Sequence, residues 1–164
     1  MTHEEDGAVI MPSVLSRRDF ALSWLAGGVA AAVSARPALA QARAQARVYR
    51  TPTCGCCLGW VRHLQANGFV VEVVNLEDLG PIKARLGVPA DLEACHSAEI
   101  GGYVIEGHVP AAAIRTLLAL RPGFVGIAVP GMPVGSPGME GPDPERYDVI
   151  AFARDGGRSM FMRF

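Results

Sequence analysis

The pattern of apolar and polar positions along residues 47–164 alternates between the period of a strand and the period of a helix. Residues 69–75, FVVEVVN, are rich in β-branched side chains and predict a buried strand. From Cys57 onward the apolar positions have helical spacing, and Asn67-Gly68 ends that helix with a pair suited to left-handed backbone geometry. Further runs predict strands at 47–51, 95–100 and 102–105 and helices at 78–86 and 111–120.

The C-terminal part adds a loop of unusual composition and a β-hairpin. Residues 130–140, PGMPVGSPGME, contain Gly, Pro and Met and few core-forming side chains. Residues 149–152 and 159–164 predict two strands joined around Asp-Gly-Gly at 155–157. The order β-α-β-α-β-β-α, followed by this extension, is typical of a thioredoxin-like α/β domain, in which helices flank a central mixed sheet.

The N-terminal segment has a different character from the rest of the chain. Residues 20–35 carry no charge, and this run has the length of a signal-peptide core, whereas a membrane-spanning helix needs about 20 residues. Residues 38–40, Ala-Leu-Ala, offer a cleavage site, and Arg17-Arg18 resembles the twin-arginine export signal. We expect residues 1–40 to be a cleaved signal peptide of the twin-arginine type. Sec export and an uncleaved anchor are the alternatives.

Composition and charge restrict what the remaining chain does. Of the 164 residues 50% are hydrophobic and 19% charged, a composition that supports one folded domain with a core. Cleavage near Ala40 would place the protein in the bacterial periplasm, without stable membrane insertion. Residues 41–164 hold as many basic as acidic side chains, so no nucleic-acid partner is expected. We expect residues 41–46 to be a flexible lead and residues 47–164 to be the domain.

Cysteine usage is the most unusual feature of this domain. Three of the four cysteines, Cys54, Cys56 and Cys57, lie within four residues. They follow the first predicted strand and precede the first predicted helix, whose N-terminal N–H groups and dipole favour a thiolate. Cys95 begins a strand that this topology places beside the same loop. The sequence therefore predicts that four sulfur atoms converge.

Two chemistries fit four converging sulfur atoms. Cys54 and Cys57 have the C-x-x-C spacing of thiol–disulfide exchange, although Cys56 between them would invite mispairing. Three thiolates on one loop and a fourth from Cys95 suit a soft metal such as Cu(I). Zinc fits less well, because its tetrahedral sites more often use two separated C-x-x-C pairs. A structural disulfide with two spare thiols is a further alternative in an oxidising compartment.

Methionine favours copper among these metals. Met132 and Met139 lie in the Gly/Pro-rich loop, where little core packing is available to explain them. A thioether is a good ligand for Cu(I) and a poor one for zinc. The alternative is that both side chains fill surface gaps.

Histidine offers weaker candidates. His96 follows Cys95 directly, but strand alternation predicts that it points to the opposite face. His63 lies two helical turns after Cys56, roughly 10 Å away, so a hydrogen-bonded surface role is expected. His108 precedes the third predicted helix, where a structural or supporting role is as good an assignment as any.

Three segments of the chain resemble one known family. They are CGCCLGWVRHLQANGF at 54–69, VPADLEACHSAEIGGYVIEGHVPA at 88–111 and AVPGMPVGSPGME at 128–140. In this order they resemble the CopG-like family of periplasmic copper-resistance proteins, also known as domain-of-unknown-function family 411. The resemblance implies a thioredoxin-like fold and copper binding. The metal ligands it implies are Cys54, Cys56, Cys57 and Cys95, with Met132 as a further candidate.

We therefore expect a periplasmic copper-binding protein that serves in copper resistance or homeostasis and holds Cu(I) through the C-x-C-C loop and the fourth cysteine. Storage, transfer and cycling between Cu(I) and Cu(II) stay open, and so does its classification as an enzyme. A copper efflux pump or another periplasmic metal carrier is the expected partner. The alternatives are a thiol–disulfide oxidoreductase that uses Cys54 and Cys57, and a structural zinc module.

Overall fold

The computed structural model describes residues 44–164. The predicted signal peptide, its cleavage site and the paired arginines lie outside the described residues. In the described part, seven strands form one mixed sheet and three helices pack against it. The prediction of an α/β domain with a central mixed sheet is confirmed.

The strands and helices follow the predicted order, with one additional strand. The strands are β1 (Gln45–Arg50), β2 (Val70–Asn75), β3 (His96–Ile100), β4 (Tyr103–Gly107), β5 (Gly126–Val129), β6 (Asp148–Phe152) and β7 (Arg158–Arg163). The helices are α1 (Gly55–Ala66), α2 (Gly80–Leu86) and α3 (Ala111–Leu120), and a short 3₁₀ turn covers Ala90–Leu92. The order across the sheet is β2-β1-β3-β4-β5-β6-β7. β1 pairs with β2 and β4 with β5 in parallel, and the other neighbours are antiparallel.

Several element ends differ from the prediction for local reasons. β1 starts at Gln45, inside the predicted flexible lead, because Ala46 is buried and pairs with residues of both neighbouring strands. α2 starts at Gly80 rather than at residue 78, because the Asp78 carboxylate accepts a hydrogen bond from the Gly80 N–H and forms a turn there. α3 has the predicted bounds.

The sequence pattern does not predict β5. This strand has four residues and lies between two Pro-Gly breaks, so its apolar run is shorter than a typical strand. All four residues are buried between β4 and β6, which is why they adopt strand geometry. A Cβ on Gly126 would overlap the Val104 carbonyl oxygen, so only glycine fits there. Through β5, the predicted C-terminal hairpin becomes the edge of the main sheet.

Two apolar clusters cover the two faces of the sheet. On one face, side chains of α1 and α3 such as Trp60 and Leu117 pack on strand residues such as Ile105. On the other face, α2 packs through Leu86 on residues that include Val104. Val104 and Ile105 are neighbours on β4, and their opposite directions follow from the two-residue period of a strand.

Candidate metal centre

The cysteine cluster lies at the junction of β1 and α1, where the sequence predicts it, with Cys54 just before the helix and Cys56 and Cys57 in its first turn. Cys54 is the N-cap residue of α1, and its sulfur accepts a hydrogen bond from the Cys57 N–H at 3.3 Å. Cys54 and Cys57 are joined by a disulfide. In the described part of the chain, Cys56 and Cys95 are free thiols. A site of four thiolates therefore requires that this disulfide be reduced.

The four sulfur atoms meet beside the N-terminus of α1. The Sγ atom of Cys56 lies 3.4 Å from that of Cys54 and 3.8 Å from that of Cys95. The Sγ atom of Cys57 is 3.6 Å from the Cys95 carbonyl oxygen. All four sulfur atoms lie within 4.8 Å of one another. The structure thus brings together the four predicted cysteines, and their role as metal ligands stays a prediction.

A buried cation fixes the backbone of the cysteine loop. Arg50, at the end of β1, is only 5% exposed. Its Nη2 atom donates hydrogen bonds to the carbonyl oxygens of Pro52 at 2.8 Å and Cys54 at 3.0 Å. These two hydrogen bonds hold the carbonyl groups of Pro52 and Cys54 in place beside the start of α1.

Two buried histidines extend the sulfur cluster. The Sγ atom of Cys95 lies 3.3 Å from Nδ1 of His96 and 3.1 Å from Nε2 of His108. Nδ1 of His108 lies 2.8 Å from the Pro137 carbonyl oxygen. Because a carbonyl only accepts, Nδ1 of His108 carries a proton, and the lone pair of the neutral ring is on Nε2, facing Cys95. Nε2 of His96 is buried and has no hydrogen-bond partner among residues 44–164.

The prediction that His96 points away from Cys95 is wrong. Strand alternation does not apply between the two residues, because β3 begins at His96 and Cys95 precedes it. The His96 ring is enclosed between Trp60 and His108, with ring centroids 4.4 and 4.9 Å away.

The register of the β3–β4 hairpin is a sequence feature that predicts the position of His108. β3 and β4 pair around Gly101-Gly102, with Ser97 opposite Glu106. Continuing that register by two residues places Cys95 opposite His108. A hairpin at Gly101-Gly102 was part of the predicted fold, so its register alone would have brought these two side chains together.

Burial determines the protonation of this group. Burial, with the nearby Cys56 thiol, raises the pKa of Cys95 to about 12. Burial also lowers the pKa of His108, and it lowers the pKa of His96 well below the usual value, where His108 and Lys83 add to the effect. At neutral pH, Cys95 is therefore a thiol and both rings are neutral. A soft cation that binds here displaces the thiol proton.

The Gly/Pro/Met loop lies against the first turns of α1. Gly138 has a φ of +88°, and a Cβ atom there would lie 2.6 Å from both the Cys56 carbonyl oxygen and the Trp60 nitrogen. From the other side, a Cβ on Gly59 would lie 2.8 Å from the Gly138 Cα. The loop and the helix therefore approach each other through two glycines. Since Pro137 also accepts the His108 hydrogen bond, the loop holds one ring of the candidate site.

The other sequence candidates lie around this loop and α1. Met132 is 39% exposed and has a φ of +50°. Met139 is partly buried, and its N–H donates to the Ser136 carbonyl oxygen at 2.8 Å. Met132 as a metal ligand stays a prediction. His63 accepts a hydrogen bond from the Ala111 N–H at 3.0 Å, which confirms the expected hydrogen-bonded role.

A buried ion pair supports Cys95 from the other face of the sheet. The Glu106 carboxylate on β4 pairs with Lys83 of α2, and their side chains are 0% and 6% exposed. Glu106 also accepts hydrogen bonds from the Ser97 hydroxyl at 2.5 Å and from the Ala94 N–H at 2.6 Å. The last bond fixes the residue that precedes Cys95. The sequence did not indicate this network, because its members lie on α2, β3 and β4 and on the segment that precedes β3.

The chain resembles known proteins in sequence and in fold. Residues 92–139 match a family model described as a protein of unknown function, DUF411. A solved structure of a copper resistance protein, copG in its form 2, is 46% identical, with a TM-score of 0.71, and the match covers 74% of this chain and 98% of that one. The chain belongs to the CopG-like DUF411 family. The resemblance found in the sequence is thus confirmed.

A second structure from this family gives the same result. Form 1 of the copG copper resistance protein is also 46% identical, with a TM-score of 0.69, and the match covers 73% of this chain and 96% of that one. No curated protein sequence matches the chain. The DUF411 model includes Cys95, His96 and His108, and the cysteines at 54–57 precede it. Within residues 44–164, no helix has both the length and the apolar character needed to cross a membrane.

Proposed function

We propose that the protein binds Cu(I) as its cargo through the thiolates of Cys54, Cys56, Cys57 and Cys95 and serves in copper resistance. The observation that carries this proposal is that the four sulfur atoms lie within 4.8 Å of one another. Sulfur donors at this density favour a soft ion such as Cu(I). The names of the two related structures, both copper resistance proteins, support the same cargo.

The disulfide makes copper loading depend on redox state. For all four sulfurs to bind, a dithiol reductant must supply two electrons and two protons to the Cys54–Cys57 bond and leave as a disulfide. The two new thiols and those of Cys56 and Cys95 then release protons as Cu(I) binds. The copper ion stays Cu(I) throughout. Cycling of bound copper between Cu(I) and Cu(II) is a further step that this proposal does not need.

Copper fits the donor set better than zinc. Three of the four sulfurs come from one four-residue segment at the start of α1, whereas structural zinc sites more often combine two separated C-x-x-C pairs. We propose Met132 as an additional thioether donor, because its loop packs against the helix that carries Cys56. Metal analysis of protein produced with copper or with zinc in the medium tests this preference, and zinc retained in copper medium would contradict it.

A competition titration against a Cu(I) chelator tests the central proposal. Reduced protein should take up Cu(I), and Cys54→Ser combined with Cys95→Ser should abolish most of the uptake. The matched control is Met160→Leu, which keeps the side-chain volume of an exposed methionine on β7, outside both the cysteine set and the Gly/Pro/Met loop. The proposal fails if the reduced protein takes up no Cu(I) or if the double variant binds it as the parent does.

Thiol–disulfide exchange is the second candidate function. It is favoured by one observation, the Cys54–Cys57 disulfide at the N-terminus of a helix. Exchange needs only those two sulfurs, so it should survive Cys56→Ser, whereas Cu(I) uptake by the four-cysteine site should fall. A disulfide-reduction assay and a Cu(I) titration on the same variant distinguish the two functions.

We infer further that the first four strands form a thioredoxin-like core. Support comes from the strand order β2-β1-β3-β4, the parallel β1–β2 pair and the helices on both faces of the sheet. In such a core the cysteine loop follows the first strand, as it does here. β5, β6 and β7 then extend this core.

We propose that the protein works in the periplasm after twin-arginine export and cleavage near Ala40. The sequence of residues 1–40 supports this location. A copper efflux pump or a periplasmic metal carrier is the proposed partner, since a bound cargo ion must be received or passed on. Mass spectrometry of the exported protein should give a chain that begins at Gln41, and an intact Met1 would contradict cleavage.

A further inference from the structure

We propose that the protein has a second copper-binding mode, in which Cys95, His96 and His108 hold one Cu(I) while Cys54 and Cys57 remain joined by their disulfide. This inference rests on the proposed copper function and names the donors available in the oxidised state. Binding exchanges one proton for one ion: Cu(I) replaces the Cys95 thiol proton, which leaves to solvent. No electron is transferred.

The Cys54–Cys57 disulfide removes two sulfur donors, so copper binding in the oxidised protein needs a second donor set. Two of the four sulfurs are bonded to each other, so they are not available as thiolates. Cys56 and Cys95 remain, and Cys95 is the thiol in contact with two imidazole nitrogens. One thiolate with two imidazoles is a donor set used by copper proteins. The ligand atoms of Cys95, His96 and His108 all lie within 4.8 Å of one another.

His108 is prepared to bind a cation at Nε2. Its Nδ1–H donates to the Pro137 carbonyl, which fixes the tautomer and directs the Nε2 lone pair at Cys95, 3.1 Å away. In the metal-free protein the Cys95 thiol proton lies between these two atoms. A copper ion would occupy the same place. Pro137 thus acts on the site as a positioning residue, through its carbonyl.

The spacing of the donor atoms suits an ion with little rearrangement. For an ion of zinc's size, sulfur and nitrogen ligands in a tetrahedral site lie about 3.5 Å apart, and two sulfurs about 3.8 Å. The Cys95 sulfur lies 3.1 and 3.3 Å from the two imidazole nitrogens and 3.8 Å from the Cys56 sulfur. Only a small outward movement of the rings is needed, and Cys56 is placed to complete the set.

His96 contributes less than His108 for a structural reason. The ring is fully buried, and its Nε2 atom has no partner within the described chain, so no hydrogen bond there fixes the tautomer. To bind copper through Nδ1, the ring must carry its proton on Nε2, an atom that makes no hydrogen bond within residues 44–164. We therefore expect removal of His108 to weaken binding more than removal of His96.

Anaerobic competition against a Cu(I) chelator tests the second mode. Two samples are used, the wild-type protein with its disulfide verified by mass spectrometry and the Cys54→Ser/Cys57→Ser variant, which has no such disulfide to reduce. Each should bind one Cu(I). His108→Gln should lower the Cu(I) affinity of both samples by at least about tenfold. In fully reduced protein with all four cysteines the same substitution should lower the affinity much less, because four thiolates remain to bind the ion. His63→Gln is the matched histidine control and should change none of these affinities.

Nuclear magnetic resonance of the histidine nitrogens complements the titration, because it leaves both buried histidines unsubstituted. In the disulfide form labelled with ¹⁵N-histidine, Cu(I) should shift the resonances of His108 Nε2 and His96 Nδ1 and leave those of His63 in place. The proposal is overturned if Cu(I) binds without moving these nitrogens, if oxidised protein binds none, or if His108→Gln weakens both redox states equally. Failure of the reduced protein to bind Cu(I) is a separate result, since it overturns the proposed function itself.

Discussion

At the scale of single residues, the sequence was informative where the chemistry is local. The spacing of Cys54, Cys56 and Cys57 on a loop before a helix was enough to predict where those sulfurs lie. The sequence did not predict which polar side chains are buried or which residues far apart in the chain come into contact. The contact between His96 and Cys95 depends on where β3 begins, and the strand pattern placed that start one residue early.

The buried ion pair gives a prediction at this scale. Lys83→Met leaves the Glu106 carboxylate buried without its cation, so the free energy of unfolding at pH 7 should fall by about 3–5 kcal/mol. Burial already raises the pKa of Glu106, and Lys83 is the largest opposing influence. Without Lys83 the pKa rises further above the value of about 4.3 in the unfolded chain. The deficit should therefore shrink as the pH falls from 7 towards 4.3, because the folded state takes up the proton first.

Urea denaturation at several pH values measures this effect. The control is Lys83→Met/Glu106→Gln, in which the titrating group is absent and the added pH dependence should disappear. The prediction is wrong if Lys83→Met lowers the free energy of unfolding by the same amount at pH 7 and at pH 5. That result would mean that the pKa of Glu106 in the folded variant is not above its value in the unfolded chain.

At the scale of elements, the sequence predicted the helices and most strands. It did not predict the features that depend on packing against another element. β5 forms because β4 and β6 lie on either side of it, and its four residues carry no period of their own. The composition of the Gly/Pro/Met loop was clear from the sequence. Its position against α1 depends on the close approach of Gly59 and Gly138, which no local pattern encodes.

This contact predicts a difference between two glycines of one loop. Gly131 and Gly138 both have positive φ values, +78° and +88°. Among residues 44–164, a Cβ on Gly131 meets no atom within 4 Å, whereas one on Gly138 meets the α1 backbone. Gly131→Ala should lower the free energy of unfolding by the backbone strain alone, about 1–2 kcal/mol. Gly138→Ala should lower it more, because the loop must also move away from Cys56. Equal losses in chemical denaturation would mean that the contact does not stabilise the loop.

At the scale of the whole molecule, the candidate site joins segments that are far apart in the chain. Cys54–Cys57 follow β1, Cys95 precedes β3 and His108 follows β4. These three points meet because β1, β3 and β4 are neighbours in the sheet. The prediction of a mixed sheet was therefore sufficient to bring the four cysteines together. The sequence did not predict a sheet of seven strands, because β5, which joins the C-terminal hairpin to β4, was not predicted.

A ligand that links separate segments should stabilise the folded state as a whole. With free Cu(I) at about 100 times its dissociation constant, the free energy of unfolding of reduced protein should rise by about 2.7 kcal/mol. Calorimetry under anaerobic conditions should show a higher Tm with Cu(I) than without it. Cys54→Ser/Cys95→Ser provides the control and should show little change, and an equal rise in that variant would place the stabilising ion elsewhere.

The packing of Trp60 gives the protein a built-in optical reporter. Trp60 is the single tryptophan of residues 41–164, it is fully buried, and its ring lies 4.4 Å from the His96 ring. Its indole nitrogen is anchored by a hydrogen bond to the Val109 carbonyl oxygen at 2.8 Å, so the fluorophore has a fixed place beside the site. An ion that arrives at His96 changes the surroundings of this one chromophore. In a chain that begins at Gln41, the emission of Trp60 would therefore follow occupancy of the imidazole side of the proposed site in real time.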